Sequence, residues 1–315
     1  MSKIRIAFLG TPEYAAICLK ALLADEHYEV VGVVTQPDRP AGRKLVLTPS
    51  PVKQVAMAHG LKVISPESLK NSPVLVDEVR SWGADVGVVV AFGQILTEDF
   101  MGMFPFGCVN IHASLLPRWR GAAPIQRAIE AGDSETGVAL QKMVKKLDAG
   151  KVLGVRKVAI TPSLNSLQLH DILAALSCEL LHVELMDYLR GNLAGIEQDE
   201  SQVTYAKKIE KIESALDWNL PAEVLDRKIR ALAWGPGTFT VWQTKKIKIH
   251  QALVLAEKKA SPPGTVMRLT EEGLDVATGN GVLRILELQP ESRNRMKVAD
   301  FIKGQTLKEG DVLGV

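Results

Sequence analysis

A chain of 315 residues with 46% hydrophobic and 23% charged side chains has the composition of a soluble globular protein, and its length predicts two domains. No apolar stretch approaches the length that spans a bilayer, and the amino terminus lacks a signal-peptide pattern. Both features argue against membrane and secreted proteins and predict a cytoplasmic location. The net charge of +2 does not by itself exclude any class of binding partner.

The distribution of charged residues and of cysteines along the chain is more informative than the net charge. Residues 207–315 hold 18 Lys and Arg against 14 Asp and Glu. This basic balance is compatible with a nucleic-acid backbone as partner and equally with an ordinary solvated surface. The three cysteines are scattered among apolar residues, which predicts reduced thiols rather than disulfides or a zinc site.

The amino-terminal part alternates apolar strand patterns with helical ones. Strands are predicted at residues 4–9, 30–35, 62–64 and 85–92, and helices at residues 13–24, 52–59 and 73–82. A strand, a glycine turn and a helix begin a nucleotide-binding unit, but Pro12 replaces a glycine of the dinucleotide fingerprint. We therefore predict an α/β fold with a Rossmann-like, mostly parallel sheet and flanking helices, which does not bind NAD in the usual way.

A long segment, residues 36–53, separates the second strand from the second helix. It contains four prolines and no secondary-structure pattern, and loops of this length are usually functional or disordered. Arg39, Arg43 and Lys44 make it basic. The segment is compatible with a phosphate-binding loop and with a mobile, solvated insertion.

The most distinctive stretch, residues 109–126, reads VNIHASLLPRWRGAAPIQ. It opens as a strand in which alternation places Asn110 and His112 on the same face. Pro117 then holds the following loop in an open conformation. A polar pair at the end of an apolar strand, followed by a rigid loop, is typical of a site at the carboxyl edge of an α/β sheet. An isolated Asn-x-His is more often a hydrogen-bonded histidine beside a surface turn.

Two further strands, at residues 136–144 and 152–159, enclose the loop that carries Asp148. An amphipathic helix capped by Asn165 is predicted to run to Gly191, with His170 and His182 partly exposed on it and without chemistry. The polar residues that follow predict a linker. The predicted organisation is therefore a catalytic domain at residues 1–191, a linker at 192–206 and a second domain at 207–315.

The second domain combines one helical pattern, at residues 221–233, with five short strand patterns separated by glycine turns. Short strands at this spacing predict a small antiparallel, OB-like β-barrel. A positively charged barrel of this kind is a familiar module for single-stranded nucleic acid, although few aromatic residues are present for base stacking.

The chemistry available at the central stretch is limited. Asn110, His112 and Asp148 converge if the sheet is built as predicted. There is no serine in a nucleophile elbow, no cysteine beside a histidine and no metal-ligand spacing, so neither a covalent enzyme intermediate nor a metal is expected. Direct acyl transfer between two bound substrates, with stabilisation of the developing oxyanion, remains.

The run from Asn110 to Gln126 resembles the core motif of the folate-dependent formyltransferases, and the resemblance extends over nearly the full chain. It implies 10-formyltetrahydrofolate as co-substrate and the α-amino group of initiator methionyl-tRNA as acceptor, in translation initiation. We expect the enzyme to be a monomer. The resemblance also implies that Asn110, His112 and Asp148 are the catalytic residues. Asn110 and His112 would donate to the oxyanion, and Asp148 would orient His112.

The resemblance further implies binding residues. The residues expected to hold the folate are Ser114, Leu115, Leu116, Pro117, Val90, Phe92 and Ile95. The residues expected to bind tRNA are Arg39, Arg43 and Lys44, in a loop that other tRNA-acting members carry against the acceptor stem. After Arg43 the chain departs from the usual pattern, with Leu45, Val46 and Leu47 in place of a glycine and further lysines. Arg118 and Arg120 are compatible with anion contacts and equally with structural ion pairs.

Two alternatives remain open at this level. A formyltransferase that modifies a small amine, such as an amino-sugar nucleotide or glycinamide ribotide, would share the three catalytic residues but generally lacks a loop like residues 36–53. A non-catalytic RNA-binding protein on a degenerate Rossmann-like scaffold is the other. Loss of a catalytic residue would favour it, and none is lost.

Overall fold

The computed structural model describes residues 3–41, 45–256, 261–304 and 306–314. Its strands are β1 (Ile4–Gly10), β2 (Tyr28–Val34), β3 (Arg39–Ala41), β4 (Val46–Thr48), β5 (Val63–Ile64), β6 (Val86–Val90), β7 (Cys108–His112), β8 (Arg120–Gly121), β9 (Glu135–Lys142), β10 (Val152–Ala159), β11 (Tyr205–Ala206), β12 (Thr238–Trp242), β13 (Lys245–Leu255), β14 (Val266–Thr270), β15 (Gly273–Ala277), β16 (Val282–Pro290) and β17 (Met296–Lys297). Its α-helices are α1 (Glu13–Ala24), α2 (Pro51–Ala58), α3 (Pro73–Ser81), α4 (Glu98–Gly102), α5 (Pro124–Ala131), α6 (Ser166–His182), α7 (Glu184–Leu189), α8 (Ala222–Ala231) and α9 (Val298–Phe301).

Contacts divide the chain into two compact units. The first contains Met1–Pro124, Glu135–Ala159 and His170–Ala206, and the second contains Ile125–Ser134, Ile160–Leu169 and Lys207–Val315. The predicted catalytic domain and linker differ from this division in detail. Residues 192–206 pack on the first unit because β11 pairs in parallel with β8 and Ile196 bridges Val152.

The first unit is built on a seven-stranded sheet in the order β10-β9-β7-β6-β1-β2-β5. β7, β6, β1, β2 and β5 are parallel, whereas β9 is antiparallel to both β7 and β10. All five residues of β6 are buried, as expected for a Val-rich strand with both of its faces covered. The predicted mostly parallel α/β sheet is therefore confirmed.

Two helix predictions need correction. The single helix predicted up to Gly191 is two helices, α6 and α7, although Asn165 caps the first one as expected by accepting from the amides of Leu167 and Gln168. His170 was expected to be partly exposed, but it is buried edge-on against the ring of Tyr14. Burial of this face of α6 against α1 explains the difference.

The segment from residue 36 to residue 53 also differs from the prediction of a loop without secondary structure. β3 and β4 form an antiparallel hairpin in which Pro40 lies opposite Leu47. Pro40 is tolerated because a two-stranded ribbon leaves one side of each strand unpaired. Residues 42–44, between β3 and β4 in the sequence, are outside the described residues.

The second unit contains an antiparallel sheet in the order β12-β13-β16-β15-β14, with β17 on β16. The carboxyl-terminal segment joins its two edges: the amides of Val266 and Leu313 donate to Asp311 and Gly264 on the β14 side, and that of Gly314 donates to Val241 in β12, each at 2.8 Å. This closure explains the predicted barrel-like fold, and it encloses an apolar core.

The cysteines are consistent with the prediction of reduced thiols. All three are free, and burial raises the pKa of the Cys108 thiol to about 12. No helix in the described part of the chain is both long and apolar enough to cross a bilayer.

The closing segment provides a test of the barrel. Leu313 is 2% exposed within the core, whereas its neighbour Val312 is 60% exposed. We expect Leu313→Ala to lower the free energy of unfolding of the second unit by about 2–4 kcal/mol, because it removes a buried side chain and leaves a cavity. Urea unfolding followed by circular dichroism measures this. Val312→Ala is the matched control and should change stability by less than about 0.5 kcal/mol; equal effects would show that the terminal segment does not complete the core.

Candidate active site

Asn110 and His112 lie on β7, in the interior of the sheet. Asn110 is opposite Val89 in β6 and Gln141 in β9, and His112 is opposite Ala139. The two-residue spacing places both side chains on one face, as the sequence predicts. The amide of Asn110 is half-buried and makes no side-chain hydrogen bond to any of the residues that the structure describes, so its donors are available to a ligand.

The imidazole of His112 is buried and held on both sides. Nε2 lies 2.9 Å from the carbonyl oxygen of Trp119, which can only accept, so Nε2 carries a proton. Nδ1 faces the Asp148 carboxylate, 3.8 Å from Oδ2. This distance is too long for a hydrogen bond, but it lies within ion-pair range when the ring is protonated.

Asp148 is fixed more firmly than His112. Its Oδ2 accepts from the backbone amide of Gly121 at 2.8 Å, and its Oδ1 accepts from Nε2 of Gln141 at 3.0 Å. Its backbone has a φ of +47°, in the left-handed region that Asp tolerates better than most residues. The structure thus brings together the three residues predicted to be catalytic.

The hydrogen bond from the Gly121 amide to Asp148 requires the backbone of Gly121 to lie close to that of Ala206. Gly121 has a φ of +121°, and a Cβ at this position would lie 2.8 Å from the carbonyl oxygen of Ala206. Only glycine allows β8 to pair with β11 here. The amides of Arg120 and Ala122 complete the pairing by donating to Thr204 and Ala206.

Arg120 is a structural residue rather than an anion ligand in this structure. Its side chain is fully buried, and Nε and Nη2 donate to Oε1 of Gln198 at 3.0 and 2.8 Å. Nη2 also pairs with Glu200 at 2.9 Å. Hydrogen bonds from Arg120 and then from Lys146 hold the pKa of Glu200 below its usual value.

The residues predicted to hold the folate fall into two groups. Leu115, Leu116 and Pro117 are half-buried and Ile95 is 82% exposed, so these side chains can contact a ligand. The side chains of Val90, Phe92 and Ser114 are buried inside the protein. Ser114 donates to the carbonyl oxygen of Arg118 at 2.6 Å and so shapes the loop. Any contact that these three make with a ligand would have to come from the backbone.

The residues predicted to bind tRNA are only partly described. Arg39 is exposed on β3 and forms an ion pair with Glu67 at 2.8 Å. Arg43 and Lys44 lie outside the described residues. Leu45, Val46 and Leu47 follow them and are all strongly exposed. The hairpin therefore presents a basic side chain and an apolar edge to solvent.

Two glutamines at the site were missed from the sequence. Gln141 is a buried polar residue directly after the apolar run at residues 138–140, and this pattern could have identified it as a partner of Asn110 or Asp148. Gln198 lies in the segment that the sequence predicts to be a linker, where nothing in the local sequence distinguishes it. Among the described residues, no group of three or more His, Cys, Asp or Glu is arranged to hold a metal ion.

Comparisons with known proteins agree over the whole chain. Residues 4–183 match the family described as formyl transferase, and residues 208–306 match the family described as formyl transferase, C-terminal domain. A methionyl-tRNA formyltransferase of Bdellovibrio bacteriovorus is 64% identical over 100% of both chains. One of Methylococcus capsulatus is 49% identical over 96% of this chain and 98% of its own.

Solved structures with lower identity share the fold. WlaRD, a sugar 3N-formyl transferase crystallised with dTDP and 5-N-formyl-THF, matches with a TM-score of 0.68 and 14% identity over 93% of this chain and 100% of its own. HypX from Aquifex aeolicus, in complex with tetrahydrofolic acid, matches with a TM-score of 0.65 and 18% identity over 100% of this chain and 51% of its own.

Proposed function

The chain belongs to the formyl transferase family, and we propose that it transfers the formyl group of 10-formyltetrahydrofolate to the α-amino group of initiator methionyl-tRNA. The observation that carries this proposal is the 64% identity to a methionyl-tRNA formyltransferase over the full length of both chains. The product would serve translation initiation. We propose that the enzyme acts as a monomer in the cytoplasm.

The arrangement of Asn110, His112 and Asp148 supports the chemistry. The folate co-substrate supplies an activated formyl group, and an α-amino group titrates near neutrality, so a useful fraction of the acceptor is already nucleophilic. As the amine attacks the formyl carbon, negative charge develops on the formyl oxygen. The amide of Asn110 is half-buried and makes no side-chain hydrogen bond within the described parts of the chain, so it can donate to that oxygen. One such donor is typically worth about 3 kcal/mol of barrier.

His112 would contribute in one of two ways. Held between the Trp119 carbonyl and Asp148, a protonated His112 stabilises the developing negative charge electrostatically. To donate a proton to the formyl oxygen or to the departing folate nitrogen, the ring must first leave the Trp119 carbonyl. In both cases the Asp148 carboxylate lies beside the ring, and it can take the amine proton through a water molecule.

The alternatives are less well supported. The small-amine enzyme WlaRD shares 14% identity with this chain, which shows a common fold only. A purely RNA-binding role leaves the intact site of Asn110, His112 and Asp148 without a purpose. The second unit, with its basic balance, and Arg39 in the hairpin are proposed to contact the tRNA backbone. The loop from Ser114 to Pro117, together with Ile95, is proposed to hold the folate.

Formyl transfer can be tested directly with the purified protein. We expect incubation with 10-formyltetrahydrofolate and methionyl-tRNA to yield formylmethionyl-tRNA, resolved from the substrate after mild alkaline release of the amino acid. Parallel reactions contain glycinamide ribonucleotide or a dTDP-linked amino sugar in place of the tRNA. Transfer to either small amine but not to the tRNA would support the rival enzyme, and no transfer at all would support the binding protein.

The role of Asn110 leads to a second expectation. Asn110→Ala should lower kcat for formyl transfer by about 100- to 1,000-fold, because it removes a donor to the developing oxyanion. The KM values for both substrates should change little, since the donor acts mainly in the transition state. Asn192→Ala, at an exposed asparagine, is the matched control. Retention of the full rate by Asn110→Ala would exclude the proposed role.

Arg39 can be separated from its ion-pair partner. If Arg39 contacts a tRNA phosphate, Arg39→Ala should raise the KM for methionyl-tRNA and reduce the slope of log KM against log salt by about 1. Glu67→Ala, which frees the same guanidinium, should not raise this KM. An equal rise in both variants would instead assign Arg39 a structural role through its pairing with Glu67.

A further inference from the structure

Gln198 is bonded at both ends of its side-chain amide. Nε2 donates to the carbonyl oxygens of Asp148 at 2.8 Å and Gly150 at 2.7 Å, and Oε1 accepts from Nε and Nη2 of Arg120. Both donor hydrogens and both acceptor positions of the amide are therefore engaged. A half-buried side chain whose hydrogen-bonding groups are all engaged fixes the positions of its neighbours relative to each other.

One end of this arrangement fixes the backbone of Asp148. A left-handed conformation costs an L-residue about 1–2 kcal/mol, so the conformation with a φ of +47° persists only if its surroundings hold it. The carboxylate is held by Gly121 and Gln141, but these bonds do not constrain the carbonyl oxygen. Gln198 supplies that constraint. The side chain of Asp148 and its main chain are thus held from different segments.

The other end of the arrangement holds Arg120, which precedes Gly121 in the chain. Arg120 is fully buried, and a buried guanidinium needs acceptors because its desolvation is otherwise uncompensated. Gln198 accepts from it twice and Glu200 once. Gln198 therefore links the residue beside the Gly121 amide to the main chain of the carboxylate that this amide binds.

We propose that Gln198 is a positioning residue for formyl transfer, which holds Asp148 and the Arg120–Gly121 segment in register so that the carboxylate faces His112. This role rests on the proposed function and deepens it. Gln198 acts through Asp148 and does not touch the reacting atoms. Gln198, although it lies in the segment predicted to be a linker, therefore supports the position of Asp148.

Gln198→Glu isolates the proposed role. The variant keeps an oxygen for Arg120 but replaces the two N–H donors with an oxygen that repels the carbonyls of Asp148 and Gly150. We expect kcat to fall by about 10- to 100-fold, as for a misplacement of about 1 Å, while the KM for each substrate stays within about twofold. Gln202→Glu, at an exposed glutamine of the same segment whose amide donates to the exposed Asp199, introduces the same charge at a solvated position and should change neither parameter by more than about twofold.

A double-mutant cycle separates this role from a general structural one. In an Asp148→Ala background, Gln198→Glu should change kcat by less than about twofold, because its effect requires the carboxylate. Full activity of Gln198→Glu in the wild-type background, or an undiminished loss in the Asp148→Ala background, would overturn the proposal. Thermal unfolding of each variant identifies any loss of the fold. Gln198→Asn, which keeps the amide but shortens its reach, serves as the second variant and should lower kcat in the same direction.

Hydrogen exchange gives a readout that does not depend on turnover. The Gly121 amide donates to Asp148, so a loosened carboxylate exposes this amide to solvent. Exchange at Gly121 should be at least about 10-fold faster in Gln198→Glu than in the wild type and unchanged in Gln202→Glu. Unchanged exchange in Gln198→Glu would refute the role. If wild-type protein fails to formylate methionyl-tRNA, the proposed function is wrong. The exchange measurement would still test whether Gln198 holds Asp148 in place.

Discussion

A mostly buried carboxylate in a left-handed backbone conformation is the constraint on which the site depends. The lost hydration of the Asp148 carboxylate must be compensated by hydrogen bonds, and the Gly121 amide and the Gln141 side chain provide them. The strained main chain of Asp148 must be compensated as well, and Gln198 bonds to it directly. Several elements of the first unit are therefore arranged around one side chain, which gives His112 a negatively charged neighbour.

This constraint explains why the site draws on segments far apart in sequence. β7 supplies Asn110 and His112, β9 supplies Gln141, and the turn after β7 returns at β8 to present the Gly121 amide. β8 is held by β11, which lies 85 residues further along the chain at the pairing of Arg120 with Tyr205. Direct transfer between two bound substrates needs no nucleophile on the protein. Catalysis then depends on how rigidly the hydrogen-bond donors and acceptors of the site are held. The long-range pairing of β8 with β11 supplies that rigidity.

Local patterns in the sequence were sufficient to predict some of this site. Alternation along β7 places Asn110 and His112 on one face, and a Val-rich run marks β6 as a strand buried on both sides. Phe92, which the resemblance places among the folate-binding residues, has a side chain that packs into the core. A side-chain direction at a strand end depends on register with neighbouring strands, which the sequence of one strand does not contain. Gln198 was missed for the same reason, because its partners are defined only by the tertiary structure.

The buried charge of Arg120 follows from the same requirement for rigidity. A fully buried guanidinium is a poor source of stability, since its desolvation offsets much of what its hydrogen bonds contribute. It does specify one arrangement strongly, because any displacement leaves a cation without acceptors. In this protein the specified arrangement puts the neighbouring Gly121 amide against Asp148, with the acceptors of Arg120 drawn from a third segment. The buried charge of Arg120 therefore acts on geometry, because it fixes the segment whose Gly121 amide holds the Asp148 carboxylate in place.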